Sequence, residues 1–529
     1  MKRPAIVFIG FMGAGKSTAL AAARAAGLKT TEIDELMEAS LGKPIDEAFR
    51  EDGEGAFRAR EAEVVGELLE LADGGAIALG GGSILLDRVR AALDRHVVVW
   101  LQIDPAESWR RIAHSKRPLA TSEDDVRELL ATRLPLYEEL ADAVVPMGDR
   151  AIVERALPAI LALTELPPGT KLHWATSASG EYPIYVGRGL LGPAFAADSP
   201  VYRTWGREGR RFCVSDEAVA ALYAGHLEPL AATVTVPPGE SAKTMAEVER
   251  VLRELTRAGA TRGDHVVALG GGVVGDLAGF CAHLYQRGVP VIQVPTTLVA
   301  QVDSAYGGKT GVDLPEGKNY AGAYQLPALV VADTGTLETL PLAELAAGFV
   351  EVLKTGLLAG GALWERVRLI EELDPVELAD VIVACAGYKC GVVAADERDA
   401  GLRQVLNLGH TVGHGIEAAT GYRRYRHGEA VGLGLLAALR LSEPVAASAA
   451  AAAALRDEVE AILARHGLPT RIEGGDTALL EAILEALQRD KKRTAAGVGF
   501  VLLSEPGAPQ IGQLVEPGRV RAAVQELFA

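Results

Sequence analysis

The chain has 529 residues, 49% of them hydrophobic and 23% charged, which is material for two or more sizeable cores. Its 70 acidic against 53 basic residues give a formal net charge of −17, which argues against general binding to nucleic acid or anionic membrane and leaves only local basic clusters for phosphorylated small substrates. The four cysteines (Cys213, Cys281, Cys385 and Cys390) form no C-x-x-C pair, so neither a disulfide framework nor a thiolate zinc site is indicated and a reduced, cytoplasmic protein is expected.

The start, Met1-Lys2-Arg3-Pro4, does not read as a secretory leader, because glycines and Lys16 interrupt the apolar stretch that follows. Short aliphatic runs at 6–9, 77–79 and 97–101 alternate with longer helical windows, the pattern of a mostly parallel sheet flanked by helices. Composition changes at Leu163-Thr164-Glu165-Leu166-Pro167-Pro168-Gly169-Thr170, whose prolines and glycine suit a linker. Beyond it, 182–186, 211–214, 233–236, 266–269 and 291–294 again predict strands between helices. From about Pro341 the pattern turns helical, including 445–455 and 458–465. The run 431–439 is too short to span a bilayer and is followed by Arg440 and Glu443. The expected organisation is α/β throughout: a P-loop-type parallel sheet with helices (1–165), a linker (166–174), a Rossmann-like nucleotide-binding lobe (175–340) and an α-helical lobe (341–529).

Gly10-Phe11-Met12-Gly13-Ala14-Gly15-Lys16-Ser17 fits the phosphate-loop pattern, between a predicted strand and a predicted helix. Glycines let the backbone N–H groups and the helix N-terminus surround phosphate oxygens, with Lys16 reaching the outer phosphates and the Ser17 hydroxyl the magnesium. Three further features bear on the acceptor. A carboxylate such as Asp34 orients an acceptor hydroxyl, an arginine such as Arg58 pairs with a substrate carboxylate, and Gly80-Gly81-Gly82 lets backbone approach a ligand. Read singly, each is equally well a surface acid, a surface arginine or a tight turn.

These stretches, with Asp52-Gly53-Glu54…Phe57-Arg58, Arg117-Pro118-Leu119 and Arg133-Leu134-Pro135-Leu136-Tyr137, resemble shikimate kinase over roughly 1–165. The resemblance implies ATP on Gly13, Gly15, Lys16, Ser17 and Thr18, with Arg110 near the adenine and Arg117 in a mobile lid over the transferring phosphoryl group. It implies shikimate on Asp34, Arg58, Gly80, Gly81, Gly82 and Arg133, and catalytic roles for Lys16, Asp34 and Arg117. Glu32 stands where the family usually has an aspartate, so magnesium is expected on Ser17 and, through water, on the longer Glu32 side chain.

In the second part, Gly270-Gly271-Gly272-Val273-Val274-Gly275-Asp276 follows a predicted strand and permits close approach to a pyrophosphate, although it is not the G-x-G-x-x-G fingerprint. Pro295-Thr296-Thr297 and Gly239-Glu240 with Lys243 offer polar groups at the same edge. His410 and His414, four apart, share a helix face, and His427 and Glu351 complete a set of imidazole and carboxylate groups suited to a catalytic zinc. The spacing lacks the glutamate of H-E-x-x-H, so a protease is not indicated. Cations are dense here despite the acidic chain: Arg287, Lys309, Lys318, Lys354, Lys389 and Arg403.

Together with Gln301-Val302-Asp303-Ser304, Gly317-Lys318-Asn319, Asp396-Glu397, Leu406-Asn407-Leu408-Gly409-His410, His427-Gly428-Glu429 and Asp490-Lys491-Lys492, these residues resemble 3-dehydroquinate synthase over roughly 175–529. The resemblance implies zinc, or cobalt in its place, on Glu351, His410 and His427, with His414 handling protons or binding substrate beside it. It implies NAD against Asp216, Glu240, Lys243, Gly271, Gly272, Val273, Asp276, Thr296, Thr297, Lys318 and Thr339. It implies substrate held by Arg287, Asp303, Lys309, Asn319, Lys354, Lys389, Arg403, Asn407 and one of Lys491 and Lys492, with Asp303, Lys309, Lys354 and His414 catalytic. An arginine equivalent to Arg287 crosses a dimer interface in this family, so a homodimer is expected. Ala218 and Asp313 each replace a frequent asparagine. The implied reactions are phosphorylation of shikimate to shikimate 3-phosphate and conversion of 3-deoxy-D-arabino-heptulosonate 7-phosphate to 3-dehydroquinate and phosphate, with NAD regenerated in each turnover. The alternatives are a related sugar-phosphate cyclase or zinc-dependent polyol dehydrogenase for the second part and a different small-metabolite kinase for the first.

Overall fold

The computed structural model describes residues 2–113, 122–149, 151–205, 209–488, 493–494 and 497–528. The chain divides into two compact units, one of Met1–Ala175 with Tyr182–Arg207, the other of Thr176–Glu181 with Glu208–Ala529.

The first unit is built on a parallel sheet in the order Thr30–Glu32, Ala76–Ala78, Ile6–Ile9, Val97–Gln102, Ala143–Pro146. Ile6–Ile9 is buried along its whole length, as a central parallel strand covered on both faces must be. Helix Lys16–Ala25 follows after a loop in which Gly13 and Gly15 take φ of 74° and 91°, a region that L side chains rarely adopt. The next strand, Lys171–Ser177, begins inside the segment expected to be a linker and pairs in parallel with Ala143–Pro146. Hydrophobic side chains Leu172 and Trp174 are buried there, so the prolines and glycine before Lys171 make a turn rather than a free connection.

In the second unit five parallel strands run in the order Leu329–Asp333, Val291–Pro295, His265–Gly270, Arg211–Asp216, Ala232–Val236. Apolar residues of the last four join helices Met245–Arg257 and Gly272–Leu284 in one core. The sheet's C-terminal edge carries Asp216, Glu240, Gly271 and Thr296, the place where open α/β sheets bind ligands. An antiparallel hairpin, Lys309–Leu314 with Gly317–Tyr324, follows. The remainder is mostly helical, but antiparallel strands Gly497–Leu503 and Pro509–Leu514 precede its last helix, Pro517–Gln525, within the lobe expected to be α-helical. The windows 445–455 and 458–465 form one helix, Ala449–Arg465, which leaves 445–448 outside it and is started by the Ser448 hydroxyl accepting the Ala451 N–H.

Helix His427–Leu441 is nearly all buried and crosses its neighbours at glycines. A Cβ on Gly434 would lie 2.0 Å from the Gly409 carbonyl oxygen, and one on Gly428 would lie 1.8 Å from that of Ala347. These two contacts fix the backbone on either side of His410 and His427. Gly434→Ala is therefore expected to lower stability by about 1–3 kcal/mol through overpacking. Gly391→Ala, in a helix where the added methyl meets nothing, is expected to raise it by about 0.5–1 kcal/mol. Denaturant unfolding of the two variants checks both signs.

Candidate active sites

In the first unit, the Lys16 ammonium folds back onto the carbonyls of Gly10 and Phe11 (2.8 and 3.1 Å), while Ser17 Oγ donates to Glu32 Oε1 at 2.7 Å. Ser17 and Glu32 thus meet at the start of helix Lys16–Ala25, where an acceptor set for a hydrated magnesium is expected. Asp34 is exposed in the first turn of helix Ile33–Leu41. Two arginines converge on the glycine triplet. Arg133 donates to the Gly81 carbonyl (2.9 Å) with its guanidinium over the Phe11 ring, and a Cβ on Gly82 would lie 2.6 Å from the Arg58 guanidinium. Buried Glu61 accepts from Arg58 (2.6 Å) and from Ser83 Oγ (2.6 Å), tying the arginine to the turn after the triplet.

Arg110 is largely exposed and paired with Glu107. Arg111, which the sequence reading did not single out, donates to the Gly13 carbonyl at 3.0 Å. Both arginines, with Glu107 and Gly148, line a polar cavity of ≈ 370 Å³. Arg117 lies outside the described residues, as do Lys491 and Lys492.

In the second unit the charged residues form one unbroken ribbon of alternating sign. Asp276 pairs with Lys243 (2.9 Å), Lys243 with Glu240 (3.7 Å), Glu240 with Lys318 (3.5 Å) and Lys318 with Glu417 (3.2 Å). Glu417 faces His427 Nδ1 (3.4 Å), His427 Nε2 faces Glu351 (3.6 Å) and Glu351 pairs with Lys354 (2.5 Å). Lys354 then reaches Asp303 (3.7 Å), which also holds Lys389 in close contact. Eight elements supply these side chains, so no local stretch of sequence displays the pattern.

Three ligand atoms, one each from Glu351, His410 and His427, lie within 4.8 Å of one another, as do those of His414, Glu417 and His427. Glu351 is 1% exposed; Lys354 stands against its Oε2, while Oε1 has no hydrogen bond among the described residues and faces His410 Nε2 (3.4 Å) and His427 Nε2 (3.6 Å). Such a buried, under-satisfied acid beside two imidazoles fits a divalent cation of zinc type. Burial opposes its ionisation, but Lys354, His410 and His427 outweigh that and hold its pKa well below the usual carboxylate range. Burial likewise opposes ionisation of Asp303, yet Lys389 and Lys354 bring its pKa to about 2. The two lysines differ: burial lowers the pKa of Lys389, while Glu351 and Asp303 overcome burial and raise that of Lys354.

At the cofactor edge, helix Gly272–Leu284 points its N-terminus, with Gly271 and Val273, toward the strand ends. The Thr296 hydroxyl is buried there without a hydrogen-bond partner among the described residues, and its N–H reaches the Gly270 carbonyl. A dinucleotide pyrophosphate fits this combination of free donor, glycine backbone and helix N-terminus. Thr297 Oγ1 accepts from Ala300 N, Asp216 caps helix Glu217–Tyr223, and Thr339 pairs with the Tyr223 hydroxyl (2.6 Å). Asp313, unplaced by sequence, accepts the N–H of Asn319 and supports its positive φ in the hairpin.

Arg403 is almost wholly buried and donates to the carbonyls of Glu397 (2.6 Å) and Gly307 (3.1 Å). Glu397 in turn receives two bonds from Ser179, each 2.8 Å. Asn407 ends the short helix that begins beside Arg403, and Lys309 is held by Asp399. Arg287 stands apart, exposed and at positive φ in a surface turn. The sequence reading missed Glu417 and Asp399. Glu417 had a signal, since it lies three residues after His414 on the same helix face.

The chain matches the family model for shikimate kinase over residues 12–161. It matches those for the N-terminal and C-terminal parts of 3-dehydroquinate synthase over 233–347 and 348–493. It is 43% identical over 358 residues to the 3-dehydroquinate synthase of Symbiobacterium thermophilum, covering 98% of that protein and 65% of this one. It is 44% identical over 348 residues to that of Halorhodospira halophila (94% and 64% covered). Among solved structures it resembles a 2-deoxy-scyllo-inosose synthase complexed with carbaglucose-6-phosphate, NAD+ and Co2+ (TM-score 0.60, 25% identity, 68% of this chain and 100% of that one). It also resembles the 2-epi-5-epi-valiolone synthase of Streptomyces hygroscopicus with NAD+ and Zn2+ bound (TM-score 0.58, 26% identity, 67% and 99%). The chain belongs to the 3-dehydroquinate synthase family and carries a shikimate kinase domain ahead of the synthase, a bifunctional kinase and lyase in one polypeptide.

Proposed function

We propose that the synthase part converts 3-deoxy-D-arabino-heptulosonate 7-phosphate to 3-dehydroquinate and phosphate, and that the kinase part phosphorylates shikimate at the expense of ATP. The observation that carries the first reading is the meeting of Glu351, His410 and His427 beside the Asp303, Lys354 and Lys389 cluster. Glu351, His410 and His427 would hold zinc, which would supply Lewis-acid stabilisation of a ring-alcohol oxygen, and NAD at the Gly271–Thr296 edge would supply reversible hydride acceptance. Lys354 and Lys389 then hold the substrate's anionic groups in line while Asp303 fixes both ammonium groups. Buried Arg403, anchored by two carbonyls, presents its remaining N–H donors to the carboxylate. His414, half-buried on the same helix as His410, handles a proton beside the metal. Arg287, exposed on its turn, enters a second copy's site in the proposed active form, a homodimer in the cytoplasm. No helix among the described residues is long and apolar enough to cross a membrane.

In the kinase part, Lys16 exchanges its contacts with the Gly10 and Phe11 carbonyls for phosphate oxygens, and Ser17 and Glu32 hold magnesium brought with ATP. Arg58 and Arg133 flank the glycine triplet to receive the shikimate carboxylate, leaving Asp34 to orient the hydroxyl that attacks. The two reactions are not consecutive, so no transfer of intermediates between them is required.

With the heptulosonate phosphate as substrate, phosphate release is expected to proceed for many turnovers on catalytic NAD, and His410→Ala is expected to abolish it together with zinc retention. Steady accumulation of NADH without phosphate would identify a polyol dehydrogenase instead. For the kinase, a coupled ADP assay is expected to show Lys16→Ala reducing kcat by about 10²–10³-fold. Arg58→Ala is expected to raise the shikimate KM about ten- to hundredfold, the worth of a charged hydrogen bond. An ADP signal indifferent to shikimate in the native chain contradicts the kinase assignment.

A further inference from the structure

Glu417 takes part in no step described so far, yet it is buried, with a side chain 3% exposed, and sits at the centre of the charge ribbon. One of its oxygens, Oε1, lies 3.4 Å from His427 Nδ1 and 3.2 Å from Lys318 Nζ. The other nitrogen of the same ring, Nε2, faces Glu351 Oε1 at 3.6 Å. The imidazole is therefore held between two carboxylates on opposite edges, and Lys318 spans from Glu417 to Glu240 at the cofactor edge, above the Tyr422 ring.

We infer that Glu417 is a positioning residue that accepts the Nδ1 proton of His427, leaving Nε2 free to bind the metal, and anchors the NAD-side Lys318 with the same oxygen. The inference rests on the reading of Glu351, His410 and His427 as the metal-holding group. An imidazole binds a divalent cation through one nitrogen while the other donates, and a carboxylate on the donor side fixes both the tautomer and the ring plane. The helix His410–Ala419 supplies this: His410 and Glu417 are seven apart and share a face, so the chain that brings one metal-binding imidazole also brings the partner of the other. The grouping of His414, Glu417 and His427 has the composition of a second cation site, but the Lys318 ammonium already stands against the carboxylate and would repel an ion there.

The test uses the full chain and Glu417→Gln, which keeps the size and removes the charge. Zinc affinity is measured by competition with a chromophoric chelator, the cobalt(II) form by its visible absorption, NAD affinity by calorimetry and folding by circular dichroism. In a folded Glu417→Gln variant, zinc affinity is expected to fall about 10–100-fold. The cobalt band is expected to shift, because the ligand ring is reoriented, and NAD affinity to fall as Lys318 loses its anchor. Zinc affinity within twofold of native together with an unmoved cobalt band overturns the inference, as does a second zinc equivalent in the native chain that the substitution removes. Unchanged NAD affinity overturns the Lys318 half alone. A native chain that retains no zinc or cobalt overturns the underlying metal reading, a result distinct from all of these. If the variant fails to fold, Glu417→Asp, which retains the charge on a shorter arm, is read in the same assays, with a smaller loss than tenfold expected and none overturning the inference.

Discussion

The second unit depends on keeping charge of alternating sign continuous through a largely buried interior. Glu351 and Lys354 are each 1% exposed, and an ion at such depth costs several kcal/mol unless a partner of opposite sign stands beside it. Each acid of the ribbon therefore requires the next base, from Asp276 at the cofactor edge to Lys389 at the substrate end. Because the partners come from distant elements, the helices that carry them are packed backbone to backbone, with Gly428 and Gly434 letting His427–Leu441 approach closely enough. The same interdependence makes the site specific.

The kinase unit solves a simpler electrostatic problem locally. Its phosphate loop is one continuous stretch between a buried strand and a helix, and Lys16 lies six residues from the Gly10 carbonyl it contacts. The substrate side brings in distant groups only at the glycine triplet, where Arg58 and Arg133 arrive from two helices. Glu61 then takes the place that a ribbon neighbour takes in the other unit, since it neutralises Arg58 inside the protein and ties it to Ser83.

This contrast explains what was legible in the sequence. The phosphate loop and the glycine run after His265–Gly270 are local devices whose residue types follow from backbone geometry, and they could be read directly. The histidines His410, His414 and His427 were conspicuous because only ten occur in the chain. What held them was not: Glu417 is an ordinary glutamate in an amphipathic helix until its burial and its two partners are known. Arg111 looked like any helix-surface arginine beside Arg110, and only the fold turns it toward the Gly13 carbonyl. The strands Gly497–Leu503 and Pro509–Leu514 were hidden by the helical windows around them, because they belong to a small three-stranded sheet of their own and not to the main sheet.

The central claim is that Glu351, His410 and His427 share one metal ion. X-ray absorption at the zinc edge of the loaded full chain tests it directly, because imidazole rings are counted by their outer-shell multiple scattering and sulfur is separated from nitrogen and oxygen by its longer bond of about 2.3 Å. The account predicts one zinc per chain with two imidazoles and oxygen in the remaining positions. A spectrum with one imidazole or none, or with sulfur from a cysteine, would contradict it.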